Sequence, residues 1–526
     1  LPGMLHARVV RPPSPGATLR ALDDAPLAAI PTAQAVRIGD FVGVVAEREE
    51  QAIRAAAALR CEWDEAATLP APEDLYASIR QAATTDHVAE ERGALDVALA
   101  GAARVISARY YQPFQAHASM GPSCAVARFE EDGALTVWAA TQGVFALRGA
   151  LADLLDLPAE RVRVIFQEGA GCYGHNGGDD AAADAALLAR AVGRPVRLQW
   201  SREDEFLWEP KSPAMAMETR AGLDGEGRII GWEYDVWSPS HANRPRRALD
   251  LLAGQLSRRE RPTPGGFSLG GERNAPTNYA VPANRVTVHS LASAALRVSS
   301  MRSLGATGNT FANESLMDEL ALAAETDPLA FRLRHLEDPR ARAVVEAAAS
   351  AAHWDEPPEP GDAGERVGRG LAFARYENDE AYVAAVVDLA VNPASGAVRL
   401  RRVTVAHDCG IIINPDGVRN QIEGNVIQGA SRALKEEVRF DTTRILSRDW
   451  ESYPILKFSE IPEIEVVLID RPDQPPVGAG EPATIVMAPA IANAIAAATG
   501  ARLRQVPFTP ARVRAALGEQ SGGLAD

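Results

Sequence analysis

A single carboxylate, Glu481, stands on the turn Pro475-Pro476-Val477-Gly478-Ala479-Gly480-Glu481-Pro482, just before an apolar run that reaches Gly500. Pro482 disfavours the α region for Glu481 and itself suits the first turn of a helix, so the glutamate falls at a helix mouth. Such a residue caps the helix or, where other groups converge on it, serves as a general base. A second chemical feature is Met301-Arg302-Ser303-Leu304-Gly305, an arginine on a glycine turn ahead of a helix carrying Glu314, Asp318 and Glu319. Arginine at a helix N-terminus is a ready anion site.

Gly169-Ala170-Gly171-Cys172-Tyr173-Gly174 lies between an expected strand over 162–166 and an alanine-rich helix expected over 179–192. It matches G-x-G-x-x-G in form, so a nicotinamide dinucleotide site has to be weighed. His175-Asn176-Gly177-Gly178 separate the glycines from the helix, and no strand ending in an acidic residue follows at about 20 residues, as that fingerprint requires. The glycine turn still exposes backbone N–H groups and admits a bulky, anionic or planar cofactor. Cys172 and His175 are either ligands or packed loop residues. Gln421, Gly424 and Gln428 are spaced to share one helix face, and two amides flanking a glycine suit hydrogen bonding to a closely approaching cofactor. His407 and Asp408 are adjacent on a strand and point to opposite faces, which favours a structural role.

These residues need elements to position them. Residues 1–65 read as strands with one βα unit, and 66–98, with Pro70 and Pro72, as a surface linker. Strands over 123–129 and 134–140 flank Glu131-Asp132-Gly133 as a hairpin, followed by a helix over 143–155. Further strands are expected over 195–200, 217–223 and 229–236. The proline-, arginine- and glycine-rich stretch 239–282 reads either as a functional or interface loop facing a partner or the site entrance, or equally as an ordered surface loop. Thr326-Asp327-Pro328 restarts a helix, and a boundary is expected within 338–366. Strands over 384–389 and 398–406 then pair across Asn392-Pro393-Ala394-Ser395-Gly396, ahead of the helix that bears the glutamines. The fold class is α+β.

The chain has 526 residues, enough for two or three domains. Its 70 acidic and 54 basic residues give a net charge of -16, which argues against nucleic acid or an anionic membrane as the main partner. No run approaches the roughly 20 apolar residues of a membrane span. The first residue is Leu1, so absent targeting signals leave the compartment, cytoplasmic or periplasmic, open. Cys61, Cys124, Cys172 and Cys409 are far apart and form no Cys-x-x-Cys pair, which disfavours a zinc or iron–sulfur site within the chain.

Taken in order, Leu1-Pro2-Gly3-Met4-Leu5-His6-Ala7-Arg8, Gly169-Ala170-Gly171-Cys172-Tyr173-Gly174-His175-Asn176, Arg302-Ser303-Leu304-Gly305, Asn414-Pro415-Asp416-Gly417, Gln421-Ile422-Glu423-Gly424 and Gly478-Ala479-Gly480-Glu481-Pro482 carry a resemblance. The chain resembles, over essentially its whole length, the molybdopterin-binding large subunit of the xanthine dehydrogenase and aldehyde oxidase family. The branch it is most similar to comprises the isoquinoline 1-oxidoreductase, nicotinate dehydrogenase and membrane-bound aldehyde dehydrogenase large subunits. The resemblance implies a partial α/β-hammerhead lobe over 1–98 and two mixed α/β molybdopterin-binding lobes over 99–340 and 341–526. It makes Glu481 the glutamate beside the molybdenum, with Gln142, Gly143, Gly171, Cys172, Tyr173, Gly174, Arg302, Gln421 and Gly480 lining the cofactor. The metal is held through the pterin, with no direct protein ligand.

Where most members carry glycine-phenylalanine-glycine, this chain has Gly171-Cys172-Tyr173-Gly174, and the tyrosine would narrow the substrate pocket or hydrogen-bond into it. The cofactor implied is molybdopterin cytosine dinucleotide. The implied partners are a small [2Fe-2S] subunit, a cytochrome c, and an upstream region of the same subunit with a glycine-glutamine-glycine motif that this sequence lacks. The implied reaction inserts water-derived oxygen into an N-heteroaromatic compound or an aldehyde, with Glu481 as base. The competing readings are a nicotinamide-dependent oxidoreductase resting on Gly169, Gly171 and Gly174, and a non-catalytic cofactor-binding or assembly protein.

Overall fold

A computed structural model describes residues 1–262 and 269–522. The chain opens with β1 (Leu5–Val9), β2 (Thr18–Asp23), β3 (Gln34–Ile38), β4 (Phe41–Ala46), α1 (Glu49–Ala58) and β5 (Arg60–Asp64). Next come α2 (Leu75–Gln81), β6 (Thr84–Arg92), α3 (Leu95–Ala100), β7 (Arg104–Gln112), β8 (Cys124–Phe129), β9 (Leu135–Ala139), α4 (Val144–Leu154), β10 (Val162–Phe166), α5 (Gly178–Val192) and β11 (Val196–Gln199). The middle of the chain forms α6 (Arg202–Trp208), β12 (Met215–Leu223), β13 (Ile229–Pro239), α7 (Leu252–Arg258), β14 (Asn284–Leu291), α8 (Ala306–Ala323), α9 (Pro328–His335) and α10 (Pro339–Ala351). The rest is β15 (Arg366–Arg375), β16 (Tyr382–Val391), β17 (Val398–Asp408), α11 (Pro415–Leu434), β18 (Glu463–Leu468), α12 (Pro482–Ile485), α13 (Met487–Thr499) and α14 (Pro510–Gly522).

The strands form a seven-stranded sheet in the order β10-β9-β8-β11-β1-β4-β3, a five-stranded sheet β6-β14-β13-β12-β7, a four-stranded sheet β15-β16-β17-β18 and the ribbon β2-β5. The architecture is α+β, as expected. No sheet ends at residue 98, because β1 runs parallel to β11 and β6 pairs with β14. The segment 66–98 is not a linker. It forms α2, β6 and α3, and β6 escapes sequence reading because Thr84 to Arg92 is polar and mostly exposed, with no apolar alternation to reveal it. Among its described residues the stretch 239–282 contains a 3-10 turn at Ala248–Asp250 and α7 and is otherwise irregular; residues 263–268 lie outside the described residues.

Local chemistry explains several helix starts. Asp327 and Asp338 each cap a helix whose first residue is proline, and Asn414 does the same for α11, accepting the Gly417 N–H at 3.0 Å. Two glycines inside β15 act through close approach. A Cβ on Gly370 would stand 2.3 Å from the Ala490 carbonyl, and one on Gly368 2.2 Å from that of Ala494, so α13 lies directly on β15. Buried Glu314 then ties α8 to its surroundings, accepting from Arg332 Nε at 2.9 Å, the Tyr279 hydroxyl at 2.7 Å and the Phe373 N–H at 2.9 Å. The stretch Pro482–Thr499 is long and apolar enough to cross a membrane, but 83% of it is buried in the fold, as a core helix would be. This core anchors the turn that bears Glu481.

Candidate active site

Three remote segments meet at Glu481. It precedes α12 with φ -126°, and its side chain makes no bond to that helix. Oε1 instead accepts the Ser303 N–H at 2.8 Å, and Oε2 accepts the Tyr376 hydroxyl at 2.7 Å. The Ser303 hydroxyl donates to the Glu481 carbonyl at 2.9 Å. The carboxylate is therefore no helix cap. Ser303 and Leu304 both adopt left-handed backbone, at φ 79° and 47°, unusual for non-glycine residues. The Leu304 N–H to the Met301 carbonyl, at 2.7 Å, closes this turn and directs the Ser303 N–H at Glu481.

Arg302 does not face the mouth of α8, the place its sequence position suggests for an anion site. Its Nη1 donates to Gln428 Oε1 and its Nη2 to Gln421 Oε1, both at 2.8 Å, while Nε reaches the Gly480 carbonyl at 2.6 Å. The guanidinium lies over Gly424, where an added Cβ would come within 3.7 Å of Nη1. The glutamine face of α11 thus holds Arg302, because a five-donor fork matches two amide oxygens and a carbonyl. One turn further along α11, Arg432 donates to the Arg302 carbonyl at 3.3 Å. Burial, followed by the nearby Arg432, pulls the Arg302 pKa down to about 10. Burial likewise lowers that of Arg432. Among the described residues neither guanidinium forms a direct ion pair with a carboxylate, and their nearest negative charges are Glu481, beside both, and Glu436, beside Arg432.

The glycine loop is bridged to the same turn. Arg302 N–H donates to the Tyr173 carbonyl at 2.7 Å, His175 N–H to that of Ser300 at 2.7 Å, and Gly174 bridges Met301. Only glycine fits at 174, since φ is 133° and a Cβ would fall 2.1 Å from the Ser300 oxygen. Tyr173 itself has φ 52°, and its ring covers Gly171, where an added Cβ would lie 2.7 Å from the hydroxyl. Gln142 Nε2 donates to Cys172 Sγ at 3.0 Å while its Oε1 accepts from Arg244. Gly143 precedes α4, its N–H bonded to Thr141 Oγ1 at 3.0 Å. The structure therefore joins Gln142, Gly143, Gly171, Cys172, Tyr173 and Gly174 through the Arg302 turn to Gln421, Gly480 and Glu481.

His175 is a packed loop residue, with Nδ1 2.8 Å from Ser299 Oγ and Nε2 3.0 Å from Asp179 Oδ2. The dinucleotide reading loses its phosphate seat. The Gly178 N–H at the start of α5 is taken by Asn176 Oδ1 at 3.1 Å, and Asp179 and Asp180 make the first turn acidic. His407 and Asp408 are structural. Asp408 pairs with Arg340 at 2.6 Å, and His407 is buried with both ring nitrogens unpartnered. Sequence reading misses Tyr376, Arg244, Arg273 and Arg432. Arg244 and Arg273 sit in the stretch 239–282, whose composition fits a functional loop and an ordinary surface loop alike, and nothing marks Tyr376 in the sequence.

Two family profiles, each described as a molybdopterin cofactor-binding domain, match residues 80–246 and 286–462. The chain is 44% identical to a nicotinate dehydrogenase polypeptide of Pseudomonas putida, over 99% of this chain and 45% of that protein. It is 31% identical to the beta polypeptide of isoquinoline 1-oxidoreductase from Brevundimonas diminuta, over 97% of this chain and 65% of that one. A membrane-bound aldehyde dehydrogenase of Gluconacetobacter polyoxogenes is 27% identical, over 97% and 69% of the two chains. The chain thus spans from 45% to 69% of the length of these relatives. In fold it matches quinoline 2-oxidoreductase from Pseudomonas putida 86 with a TM-score of 0.81 at 16% identity, covering 99% and 95% of the two chains. Aldehyde oxidoreductase from Desulfovibrio gigas follows at 0.79 and 16%, covering 98% and 77%. With the two domains spanning most of its length, and the glycine loop, arginine turn and glutamate brought to one place, the chain belongs to the molybdopterin-binding large subunits of the xanthine dehydrogenase and aldehyde oxidase family.

Proposed function

We propose that the chain is the cofactor-bearing part of a molybdenum hydroxylase that oxidises an N-heteroaromatic compound, with aldehydes as the second substrate class. The observation that carries this reading is Glu481, whose carboxylate is aimed away from its own helix and faces the turn where the glycine loop and Arg302 meet. Of the relatives matched over nearly the whole chain, the names nicotinate dehydrogenase, at 44% identity, and isoquinoline 1-oxidoreductase, at 31%, favour the heteroaromatic class, and the membrane-bound aldehyde dehydrogenase keeps aldehydes in play.

The donor set suits a large phosphorylated cofactor, which we take to be molybdopterin cytosine dinucleotide. Arg302 and Arg432 bring two largely buried guanidinium groups together without a direct ion pair, and Gln142, Gly143, Gly171, Cys172, Tyr173, Gly174, Gln421 and Gly480 line the approach. When bound, that group supplies the oxygen-transfer and two-electron chemistry. Glu481 accepts the proton released as water-derived oxygen is added to the substrate carbon. The electrons leave through a separate [2Fe-2S] subunit, since the chain's own four cysteines, Cys61, Cys124, Cys172 and Cys409, are too dispersed to hold a cluster, and a cytochrome c is the acceptor we assign beyond it.

The test is metal and nucleotide analysis of the intact complex, joined to turnover of nicotinate-like heterocycles against aldehydes with an artificial electron acceptor. Molybdenum, cytidine monophosphate released by acid, and faster heterocycle oxidation are expected. A complex without molybdenum that binds a nicotinamide dinucleotide tightly overturns the reading.

A further inference from the structure

Glu481 has a neighbour that no sequence motif singles out. Tyr376 follows β15 and is only 5% exposed. Its hydroxyl donates to Glu481 Oε2 at 2.7 Å and accepts from Arg273 Nη1 at 3.1 Å. Arg273 in turn pairs with Glu377 at 2.6 Å. The turn that carries this chain of contacts is left-handed at two successive non-glycine residues, Glu377 at φ 54° and Asn378 at φ 68°. It is pinned from the facing segment: Asn274 Oδ1 accepts the Glu377 N–H at 2.9 Å, Asn274 Nδ2 donates to the Arg375 carbonyl at 2.7 Å, and Asn378 Nδ2 donates to that of Pro276 at 2.8 Å. Backbone of this kind persists only where its surroundings over-determine it, and here they all act to place one phenol.

The geometry has a directional consequence. A carboxylate held at one oxygen swings about its terminal torsion, which is broad for glutamate. Held at both, by the Ser303 N–H and the Tyr376 O–H, it has one orientation. Arg273 is permanently charged, so its N–H occupies a phenol lone pair and leaves the hydroxyl hydrogen for Glu481. Burial and the nearby Glu481 charge push the Tyr376 pKa up, which keeps the phenol a donor at working pH.

We propose that Tyr376, oriented by Arg273 and Glu377, is the positioning residue that fixes the direction of the Glu481 carboxylate. This rests on the reading of Glu481 as the base. Tyr376→Phe keeps the ring and removes only the donor. In the reconstituted holoenzyme, kcat should fall about 10- to 100-fold with KM changed less than about threefold, since a base out of line affects the chemical step and not binding. Arg273→Gln should give a smaller loss in the same parameter.

A second readout needs no cofactor. In the full subunit purified from molybdenum-starved cells and labelled with 15N-serine, the Ser303 amide should exchange its proton roughly tenfold faster in Tyr376→Phe, because the carboxylate it bonds is freed. An unchanged Ser303 amide overturns the inference whatever the kinetics. A loosened amide with unchanged kcat also overturns it, and full turnover in Glu481→Gln then traces that failure to the reading of Glu481 as base.

Discussion

Ser303 and Glu481, 178 residues apart in sequence, are joined twice, by the Ser303 N–H to Oε1 at 2.8 Å and the Ser303 hydroxyl to the Glu481 carbonyl at 2.9 Å. The turn that bears Arg302 and the turn that bears the glutamate are thereby one unit. Glu481→Gln keeps the shape but offers one acceptor and one donor to two donors, so either Ser303 N–H or Tyr376 O–H is left facing an amide N–H. Turnover should fall by about 10²-fold or more. The bonds of Arg302 to Gln421, Gln428 and Gly480 do not involve this side chain, so molybdenum content by elemental analysis should match that of the wild type.

Arg302 is the opposite case. Its three donor atoms satisfy Gln421, Gln428 and Gly480, which belong to α11 and to the glutamate turn. Lysine carries the charge but has no planar fork, so Arg302→Lys leaves at least one of these acceptors bare. We expect a several-fold loss of molybdenum per subunit after gel filtration, larger still for Arg302→Ala. Full occupancy in both variants would show that this guanidinium contributes nothing to cofactor retention.

Much of this site is legible because its residues interrupt local patterns. Gly174 and Pro482 are punctuation that only particular backbone needs explain, and Arg302 stands on a glycine turn before a helix. Likewise β8, β9, β16 and β17 alternate or run apolar, so their hairpins stand out. What is not legible is long-range. That Arg302 occupies the Gln421 and Gln428 face, 119 and 126 residues away, follows from how α11 packs and not from any local signal. Tyr376 lies in a segment without periodicity, and β6 forms from polar residues whose partner strand β14 begins almost two hundred residues later.

His407 gives a test of burial by pH. It is fully buried with neither ring nitrogen bonded, and desolvation pulls its pKa from 6.5 to about 4. Above pH 6.5 folded and unfolded chains both hold it mostly neutral, so its titration adds almost no pH dependence to stability there. As pH falls from 6.5 towards 4, the unfolded chain takes up the proton and the folded one does not, and stability is lost. Leucine at this site is free of that loss. His407→Leu should therefore melt progressively higher relative to wild type on acidification, by about 2–3 kcal/mol at pH 4.5 compared with pH 7.5. A difference that stays constant across that range would mean the ring is solvated in the native state.

The reach of the core to the Glu481 turn is tested at Gly370. A Cβ there would stand 2.3 Å from both the Ala490 carbonyl oxygen and the Ala494 nitrogen, and these are backbone atoms that cannot rotate away. In Gly370→Ala, α13 must move off β15, and overpacking of this kind costs about 1–3 kcal/mol. Because α12 and Glu481 immediately precede α13, the displacement should stretch the bonds from Ser303 and Tyr376 to the carboxylate. A lower melting temperature together with a fall in kcat is expected, although residue 370 touches no part of the site itself. Gly225→Ala serves as the control: nothing lies within 4 Å of its added Cβ, and the change should stay within about 0.5 kcal/mol with turnover intact. If Gly370→Ala lowers stability but not kcat, the glutamate turn is held by Ser303 and Tyr376 alone and is uncoupled from the helix behind it.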